Sequence, residues 1–457
     1  MVAIQITSQI VYNNNELKES EGTPNMMEVN IIGAGLAGSE AAYFLANKGI
    51  KVNLYEMRPE KTTEAHQTNL FAELVCSNSL RSKDPLNAVG MLKVEMQDLG
   101  SLIIKAALHS EVKAGSSLAV DRNLFSRYIT GKLLFHPNIT IIEQEVREID
   151  PNVPTIIATG PLISAALRTS LTKLLHTSEL HFFDAIAPII DEKTIDKNVC
   201  YLKSRYDKGE AAYLNCPMTK EEYTLFYNEL VNAEIATLKD FEINVFEGCM
   251  PVEIMAKRGF DTLTYGPLKP VGLENNNNHP YAVVQLRQDD AISSMYNIVG
   301  FQTNLKFGEQ KRIIRLIPGL ENAEILRYGV MHQNAYFESP DLLNAYYQVR
   351  AYPNIFIAGQ ISGVEGYVES ASSGLSAAFH MERYLKGKEL KPFPRETMIG
   401  ALAYYISTPN KVFNPMNANL GLLPSLGKHR KVERKQLYKD RSEQSLNHYL
   451  VEMNVES

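Results

Sequence analysis

The chain has 457 residues, of which 45% are hydrophobic and 21% are charged, and this excludes disorder as its main state. A chain of this length is expected to form two or three domains. The 46 Lys and Arg residues against 52 Asp and Glu residues give a net charge of −6, so any nucleic-acid contact requires a local basic patch.

The cysteines and the N-terminus indicate a reduced, cytoplasmic protein. The four cysteines include no CxxC pair and have no histidine cluster beside them, so neither a zinc site nor a disulfide framework is predicted. Residues 1–27 lack the basic start and long apolar run of a secretory signal and are predicted to be an extension before the first domain. No apolar run reaches the roughly 18 residues that a transmembrane helix needs.

The first predicted elements form a βαβ unit. A strand at Val29–Ile32, an Ala-rich helix at Leu36–Asn47 and a strand at Lys51–Tyr55 follow one another within about 30 residues. Two later apolar strands, at Pro154–Gly160 and Asn354–Gln360, each end next to a glycine. This pattern predicts an α/β fold with a Rossmann-type domain.

The pattern changes between residues 181 and 340. Strands such as Tyr281–Leu286 alternate there with polar loops, and the helical periodicity is weaker. We therefore predict an inserted smaller α+β domain at 181–340. The first domain would then consist of residues 28–180 and 341–457, with a helical C-terminal extension beyond Lys391.

The segment GAGLAG is a GxGxxG motif between the first strand and the first helix. Gly33 permits a sharp turn, Gly35 leaves space for a pyrophosphate, and Gly38 permits close packing of helix on strand. The N–H groups of the helix N-terminus attract phosphate, and Glu56 is placed to accept from ribose hydroxyls. The predicted dinucleotide-binding residues are Gly33, Ala34, Gly35, Leu36, Ala37, Gly38 and Glu56.

Two further strands that end in glycine, at Ala158–Gly160 and in the segment Ala358–Gly374, favour FAD as the dinucleotide. A flavin ring must be held far from its adenine by a distant part of the chain, and the segment Ala358–Gly374 supplies glycines and a predicted helix start near Ser370. Such a helix end stabilises negative charge on a reduced flavin. Tyr367 is expected either to stack on the ring or to belong to the core. The additional predicted cofactor contacts are Gly160, Gly359, Gln360, Gly363, Gly366 and Tyr367.

Five segments resemble the folate- and FAD-dependent RNA (uracil-5)-methyltransferases, which are related to GidA-type tRNA-modifying flavoproteins. These segments are LVCSNSLRS (Leu74–Ser82), YLKSRYDKGEAAYLNCPM (Tyr201–Met218), FEGCMPVEIMAKRG (Phe246–Gly259), YAVVQLRQDD (Tyr281–Asp290) and GQISGVEGYVESASSG (359–374). The resemblance covers the chain from about Val29 to about Leu423. It implies that 5,10-methylenetetrahydrofolate supplies a carbon, reduced FAD supplies electrons, and NADH or NADPH re-reduces the flavin. The product is 5-methyluridine in RNA, usually at the T-loop uridine of tRNA.

This chemistry requires a thiol. Uracil C5 is a poor nucleophile until a thiolate adds to C6 and creates an enolate. The resemblance implies Cys249 as that nucleophile and Cys76 as a second active-site thiol, whereas Cys216 is expected to be structural and Cys200 inert. A nearby cation is expected to stabilise the thiolate. The candidate cations are Lys257, Arg258 and Arg81.

A local basic patch is present for RNA. The segment Leu426–Arg441 is predicted to be a helix with one positive face that follows a phosphate backbone. Lys203, Arg205 and Lys208 add positive charge to the inserted domain. No membrane contact and no obligate protein partner are predicted.

Several alternatives remain open at this stage. The same chemistry could act on 23S ribosomal RNA instead of tRNA. A flavoprotein NAD(P)H oxidase or a non-catalytic RNA-binding module is the alternative of another class, which the presence of Cys76 and Cys249 disfavours. A GidA-type enzyme that needs a second protein is also disfavoured, because the chain lacks room for its long C-terminal helical domain.

Overall fold

In the residues that the structure describes, the chain forms four β-sheets and thirteen α-helices. The computed structural model describes residues 27–63, 65–177, 179–207, 210–236, 250–275, 279–410, 413–427, 430 and 432–455. The strands are β1 (Glu28–Ile32), β2 (Lys51–Glu56), β3 (Ser79–Ser82), β4 (Glu111–Val112), β5 (Ser117–Val120), β6 (Ile139–Glu143), β7 (Thr155–Ile157), β8 (Glu179–Ala185), β9 (Ile189–Asp191), β10 (Tyr201–Leu202), β11 (Tyr213–Met218), β12 (Ala282–Gln288), β13 (Met295–Ile298), β14 (Ile325–Arg327), β15 (Met331–Phe337), β16 (Gln348–Val349) and β17 (Tyr352–Ile357). The helices are α1 (Leu36–Asn47), α2 (Ala88–Asp98), α3 (Leu102–His109), α4 (Arg122–Leu134), α5 (Ala165–Leu175), α6 (Lys220–Asn232), α7 (Val252–Lys257), α8 (Thr262–Tyr265), α9 (Phe307–Ile314), α10 (Ser339–Leu342), α11 (Tyr367–Leu385), α12 (Met398–Ile406) and α13 (Arg434–Val455).

The first sheet has the strand order β16-β17-β7-β1-β2-β6. Its strands are parallel except for β16, which pairs antiparallel with β17. The carboxyl ends of β1, β2, β7 and β17 therefore meet at one edge, which is where open α/β sheets bind their ligands. This sheet confirms the predicted βαβ unit and Rossmann-type topology.

Helices α1 and α11 cross in close contact over the first sheet. A Cβ on Gly374 would lie 2.2 Å from the carbonyl oxygen of Ala37. Glycine at 374 thus lets the two helix backbones touch. This contact packs the first turn of α1 against the first half of α11, although the two helices are far apart in sequence.

The predicted strands that lead into this edge are longer than the observed ones. The strand predicted at Pro154–Gly160 corresponds to β7, which ends at Ile157. The strand predicted at Asn354–Gln360 corresponds to β17, which ends at Ile357. Gly160 and Gly359 adopt φ values of +65° and +83°. Both glycines therefore turn the chain out of the sheet instead of extending the strands.

The second large sheet has the order β10-β11-β12-β13-β9-β14 and is antiparallel. Its strands and helices α6–α9 enclose a hydrophobic core of their own, which includes Tyr223, Phe226 and Phe301. Strands β8 and β15 pair antiparallel as a ribbon on either side of this unit in the sequence. An α+β unit is thus inserted between halves of the first sheet, while the boundaries at 181 and 341 stay predictions.

The C-terminal part packs against the first sheet's core instead of standing apart from it. Helix α12 is mostly buried, and Tyr449 and Met453 of α13 lie in the same core. The predicted helix over Leu426–Arg441 is wrong in its first half, because α13 begins at Arg434 and Gly427 adopts a φ of +74°. The predicted N-terminal extension lies outside the described residues, apart from Met27.

Candidate active site

An elongated crevice of about 1060 Å³ opens at the carboxyl edge of the first sheet. Its walls come from the β1–α1 turn, the ends of β2 and β7, and the segment after β17. We call it the dinucleotide crevice. The predicted cofactor residues that line it are Gly33, Gly35, Leu36, Ala37, Glu56, Gly160, Gly359, Gln360 and Tyr367.

The three motif glycines have different structural roles. A Cβ on Gly33 would lie 2.7 Å from the carbonyl oxygen of Ala158, and one on Gly38 would lie 1.8 Å from that of Gly33. Both glycines are therefore required by packing. A Cβ on Gly35 would meet nothing within 4 Å, so this position faces open space in the crevice. Because no side chain of the described residues caps α1, its first N–H groups are available to a phosphate in that space.

Glu56 is held in its ionised form at the crevice wall. Its Oε2 accepts from the Ala34 N–H at 3.0 Å, and its Oε1 accepts from Arg58 Nε at 2.9 Å. Burial alone would raise the pKa of Glu56, but the hydrogen bond and charge of Arg58 and the Ala34 N–H outweigh it and lower the pKa. Oε1 also accepts from the Arg58 N–H at 3.2 Å, so Oε2 is the oxygen that can still accept another hydrogen bond, as a ribose hydroxyl would require.

Four predicted cofactor residues do not line the dinucleotide crevice, and one of them, Gly366, lines a neighbouring pocket instead. Ala34 orients Glu56, and Gly38 serves helix packing. Gly363 is engaged within the protein, because its N–H donates to the Gln360 carbonyl at 2.9 Å and a Cβ there would lie 2.3 Å from the Phe413 ring. The Glu365 N–H is engaged as well, since it donates to the Met416 carbonyl at 2.8 Å.

A second pocket of about 1270 Å³ continues from the crevice, and we call it the thiol pocket. The two cavities share the lining residues Val75, Pro161, Leu162, Gln360, Tyr367 and Ser370. The thiol pocket is further lined by Cys76, Ser77, Ser79, Arg81, Arg287, Gln302, Asn334, Glu365, Gly366 and Asn417, among others. A dinucleotide in the crevice would therefore end beside Cys76.

Two partly buried arginines hold the backbone around Cys76. Arg122 donates through Nη2 to the Cys76 carbonyl at 3.0 Å and through Nη1 to the Leu74 carbonyl. Arg327 donates to the intervening Val75 carbonyl at 2.6 Å. Three consecutive carbonyl groups are thus fixed by two guanidinium groups, which also place positive charge beside the thiol.

Asp289 completes this arrangement. It accepts from Arg122 Nε at 2.9 Å and from Nη2 at 3.1 Å, a two-pronged ion pair. Burial alone would lower the pKa of Arg122, but Asp289 raises it overall. Sequence reasoning missed Arg122 and Arg327, because the acceptors are backbone carbonyls, which leave no side-chain pattern.

Comparison with known proteins identifies the family. The family model described as "Glucose inhibited division protein A" matches residues 28–389. The methylenetetrahydrofolate–tRNA-(uracil-5-)-methyltransferase TrmFO of Acholeplasma laidlawii is 62% identical over 423 residues, which cover 92% of this chain and 99% of that protein. The chain belongs to the TrmFO family, which is related to GidA. The Bacillus subtilis protein of the same name is 57% identical over 427 residues, or 93% of this chain and 97% of the relative.

A solved structure supports the fold. The GidA structure of Aquifex aeolicus matches with a TM-score of 0.67 at 17% identity, over 92% of this chain and 72% of that one. At this identity the match shows the fold alone. It confirms the predicted α/β architecture of this TrmFO-family chain.

Of the three cations expected beside the thiols, Arg81 lines the thiol pocket, while Lys257 and Arg258 were expected beside Cys249, which lies outside the described residues. Lys257 and Arg258 line neither cavity. Arg81 lines the thiol pocket, but it forms an ion pair with Glu369 in the first turn of α11. The positive charge closest to the Cys76 backbone comes instead from Arg122 and Arg327.

Cys249 lies outside the described residues. The described chain resumes at Met250, and the Val252 N–H donates to the Gln302 carbonyl at 2.7 Å. Gln302 lines the thiol pocket. The segment that follows Cys249 is therefore anchored beside this pocket, and the role of Cys249 stays a prediction.

The other two cysteines lie together in the second core. The Sγ atoms of Cys200 and Cys216 are 3.1 Å apart, and both residues are buried. The hydrogen bond with Cys200, together with burial, raises the pKa of the Cys216 thiol. Neither cysteine lines the crevice or the thiol pocket, which agrees with the structural roles expected for them.

Several basic residues predicted to contact RNA are engaged within the protein. Lys203 donates to the Glu274 carbonyl at 2.6 Å, and Arg205 donates to the Lys269 carbonyl at 3.0 Å. Arg441 donates to the Pro424 carbonyl at 2.6 Å, and Lys435 donates to Asn87 at 3.0 Å. Lys208 lies outside the described residues. An RNA-binding role for these residues stays a prediction.

No metal-binding group of three His, Cys, Asp or Glu side chains occurs in the described residues. Within the same residues, none of the helices combines the length and apolarity needed to cross a bilayer.

Proposed function

We propose that this chain is a methylenetetrahydrofolate- and FADH2-dependent methyltransferase that forms 5-methyluridine in RNA, with the T-loop uridine of tRNA as its target. One observation carries the proposal: the dinucleotide crevice adjoins a pocket that contains Cys76, and the two share six lining residues. Relatives at 57–62% identity are named for this reaction on tRNA.

The residues of the crevice fit FAD. Gly35 leaves the space that a pyrophosphate needs, and Glu56 is ionised with acceptor capacity for a ribose. The segment 359–370 adds a distant wall, as an extended flavin dinucleotide requires. Bound FAD, once reduced, would supply the electrons that convert a methylene group into a methyl group.

The thiol pocket would receive the target base and the folate. A thiolate, proposed as Cys249, adds to uracil C6 and makes C5 nucleophilic. Cys76 is proposed as the second active-site thiol, with its backbone held by Arg122 and Arg327. A base in a folded RNA loop must be flipped out of its stack to enter this pocket.

We further propose NADH or NADPH as the source of electrons, and activity in the cytoplasm without an obligate protein partner. The nicotinamide cofactor follows from the family resemblance, since the reaction consumes one reduced flavin in each cycle.

The test supplies purified protein and NADH or NADPH with 5,10-methylenetetrahydrofolate labelled on its methylene carbon. Transcripts of tRNA and of 23S ribosomal RNA fragments are offered separately, and nucleosides are analysed by mass spectrometry. We expect the label in 5-methyluridine from tRNA. Label in the ribosomal fragment alone would show that ribosomal RNA, and not tRNA, is the substrate. Consumption of the nicotinamide cofactor without any RNA methylation would support an oxidase and overturn the proposal.

A further inference from the structure

Arg287 is a buried cation of the thiol pocket with an unusual environment. It lies on β12, is only 7% exposed, and lines the same pocket as Cys76. Its Nε donates to Asn78 Oδ1 at 3.0 Å, and its side chain also hydrogen bonds with Tyr213. Among the residues that the structure describes, no carboxylate forms an ion pair with Arg287.

Two other arginines of this region are paired with carboxylates, whereas Arg327 donates to the Ala65 and Val75 carbonyls. Arg81 has Glu369 as its partner, and Arg122 has Asp289. Asp289 is also close enough to influence Arg287, but both of its oxygens are engaged by Arg122. Burial lowers the pKa of Arg287, although an arginine remains protonated at neutral pH. Buried cations without a carboxylate partner are costly and are concentrated at functional sites.

The position of Arg287 is fixed relative to the thiol loop. Asn78, which accepts from Arg287, follows Cys76 by two residues and is itself fully buried. Its Nδ2 donates to the Val120 carbonyl at 3.0 Å and to the Gln288 carbonyl at 2.9 Å. The guanidinium group and the backbone of Cys76 are therefore held by the same short, rigid segment.

We propose that Arg287 donates hydrogen bonds to O4 of the target uracil and stabilises the enolate formed during methylation. The inference rests on the proposed function and adds a catalytic residue to it. When the thiolate adds to C6, an S–C6 bond forms and the electron pair of the C5–C6 π bond moves toward O4. C5 then bonds to the methylene carbon of the folate as the π pair of its C=N bond returns to nitrogen, and the C5 proton leaves to a base. Cleavage of the remaining C–N bond releases the folate, and reduced FAD would supply the hydride equivalent that turns the methylene group into methyl. Elimination of the thiolate then restores the C5–C6 double bond.

The chemistry favours an enolate over a phosphate as the partner of this cation. The base enters neutral and carries negative charge only during the reaction, so a preorganised cation stabilises the transition state more than the ground state. A backbone phosphate is permanently charged and well hydrated, and suits exposed cations at a pocket rim. Arg287 is buried, whereas the Arg81 side chain is 39% exposed.

The experiment measures single-turnover adduct formation between the FAD-loaded enzyme and RNA carrying 5-fluorouridine at the target. For Arg287→Ala we expect the adduct rate to fall by about 100- to 1000-fold, the usual effect of removing an oxyanion donor. Affinity for unmodified RNA and flavin absorbance should be unchanged. Added guanidinium ion should restore part of the rate in this variant and should not accelerate the wild type.

Arg287→Lys provides a second measurement, because it keeps the charge and removes the planar fork. It should retain FAD and still form the adduct at least about tenfold more slowly than wild type. Weaker RNA binding with a normal adduct rate in the bound complex would assign Arg287 to a phosphate and overturn the inference. Loss of FAD from both variants would assign Arg287 a structural role and would also overturn the inference. If the wild type forms neither adduct nor methyluridine, the proposed function itself fails.

Discussion

The hydroxyl oxygen of Tyr367 accepts a hydrogen bond from the Cys76 N–H at 2.7 Å, although 291 residues separate them. It also accepts from the Ser77 N–H at 3.2 Å. Tyr367 is the first residue of α11 and lines both the dinucleotide crevice and the thiol pocket. One phenol group thus joins the second glycine-rich segment of the crevice to the loop that carries the thiol.

Tyr367→Phe should slow methylation without emptying the flavin site. The substitution keeps the ring but removes the acceptor of two backbone N–H groups, a loss of about 1–2 kcal/mol in the placement of the loop. We expect kcat to fall by about tenfold, with FAD content unchanged. Steady-state kinetics and flavin absorbance measure the two effects.

Tyr346→Phe is a matched control for this change. Its hydroxyl donates to the Leu390 carbonyl at 2.8 Å, and it lines neither cavity. It should lose a comparable hydrogen bond and keep its kcat. Equal activity losses in the two variants would show that the Tyr367 bond has no special role.

The parts of the fold that the sequence predicts are local. The helix Leu36–Asn47 is observed with the predicted bounds, because its small-residue pattern and the following Lys48-Gly49 are both encoded within one segment. The role of Gly35 also follows from neighbours a few residues away. Each of these features depends on residues nearby in the chain, so it can be predicted from a single sequence.

The features that the sequence did not predict depend on distant partners. Arg122 and Arg327 hold the backbone around Cys76, yet along the chain they lie 46 and 251 residues from it. Gly363 looked like a cofactor contact because glycine signals a close approach without identifying what approaches. Here the approaching group is the Phe413 ring, which no local pattern specifies.

Gly35→Val should abolish FAD binding while leaving the apoprotein folded. Gly35 adopts φ −72° and ψ −167°, which valine tolerates, and a Cβ there meets no protein atom within 4 Å. The valine side chain would instead occupy pyrophosphate space. Flavin absorbance should be lost, and the melting temperature measured without FAD should stay close to that of the wild-type apoprotein.

Gly38→Ala should show the opposite behaviour. Its Cβ would lie 1.8 Å from the Gly33 carbonyl oxygen, so helix α1 must shift, at a cost of about 1–3 kcal/mol. The apoprotein should therefore melt at a lower temperature. Gly131→Ala on α4 controls for the loss of a helical glycine, since a Cβ there meets nothing within 4 Å, and it should retain FAD with unchanged or slightly increased stability.

A Gly35→Val protein that stays yellow would contradict the assignment of the dinucleotide crevice to FAD.

The cysteine variants separate chemistry from structure. Serine is nearly isosteric with cysteine but is a far weaker nucleophile at neutral pH. Cys249→Ser should abolish methylation and retain FAD, and Cys76→Ser should lower methylation strongly. Peptide mapping of the adduct with 5-fluorouridine RNA should find the RNA on Cys249.

Cys200→Ser is the matched control for these variants, because it makes the same change at a buried thiol that lines neither cavity. It should reduce stability by about 1 kcal/mol and leave methylation per folded molecule unchanged. An adduct on Cys76 would exchange the roles of the two active-site thiols. Full activity in Cys249→Ser would remove Cys249 from the mechanism.

Glu95 should make the stability of the fold depend on pH. This buried carboxyl on α2 accepts from the Met398 N–H at 2.7 Å and the Ile399 N–H at 2.8 Å, at the start of α12, and from Ser442 Oγ of α13 at 2.6 Å. Burial raises its pKa from the usual 4.5 to about 7, although these hydrogen bonds oppose the rise. Glu95 therefore ties two C-terminal helices to the first domain as a group that prefers to be protonated.

Glu95→Gln should remove this dependence. Because the folded state holds the proton more tightly than the unfolded state, the stability that Glu95 contributes is fully present below pH 4.5 and is lost as the pH rises through about 7. The gap between the two pKa values corresponds to about 3 kcal/mol. Glutamine stays neutral and keeps a carbonyl oxygen for one of the helix N–H groups. Denaturant unfolding at several pH values between roughly 5 and 8 measures this dependence. The free energy of unfolding should fall less with rising pH in the variant than in the wild type. If it falls equally with pH in the two proteins, Glu95 does not titrate in this range.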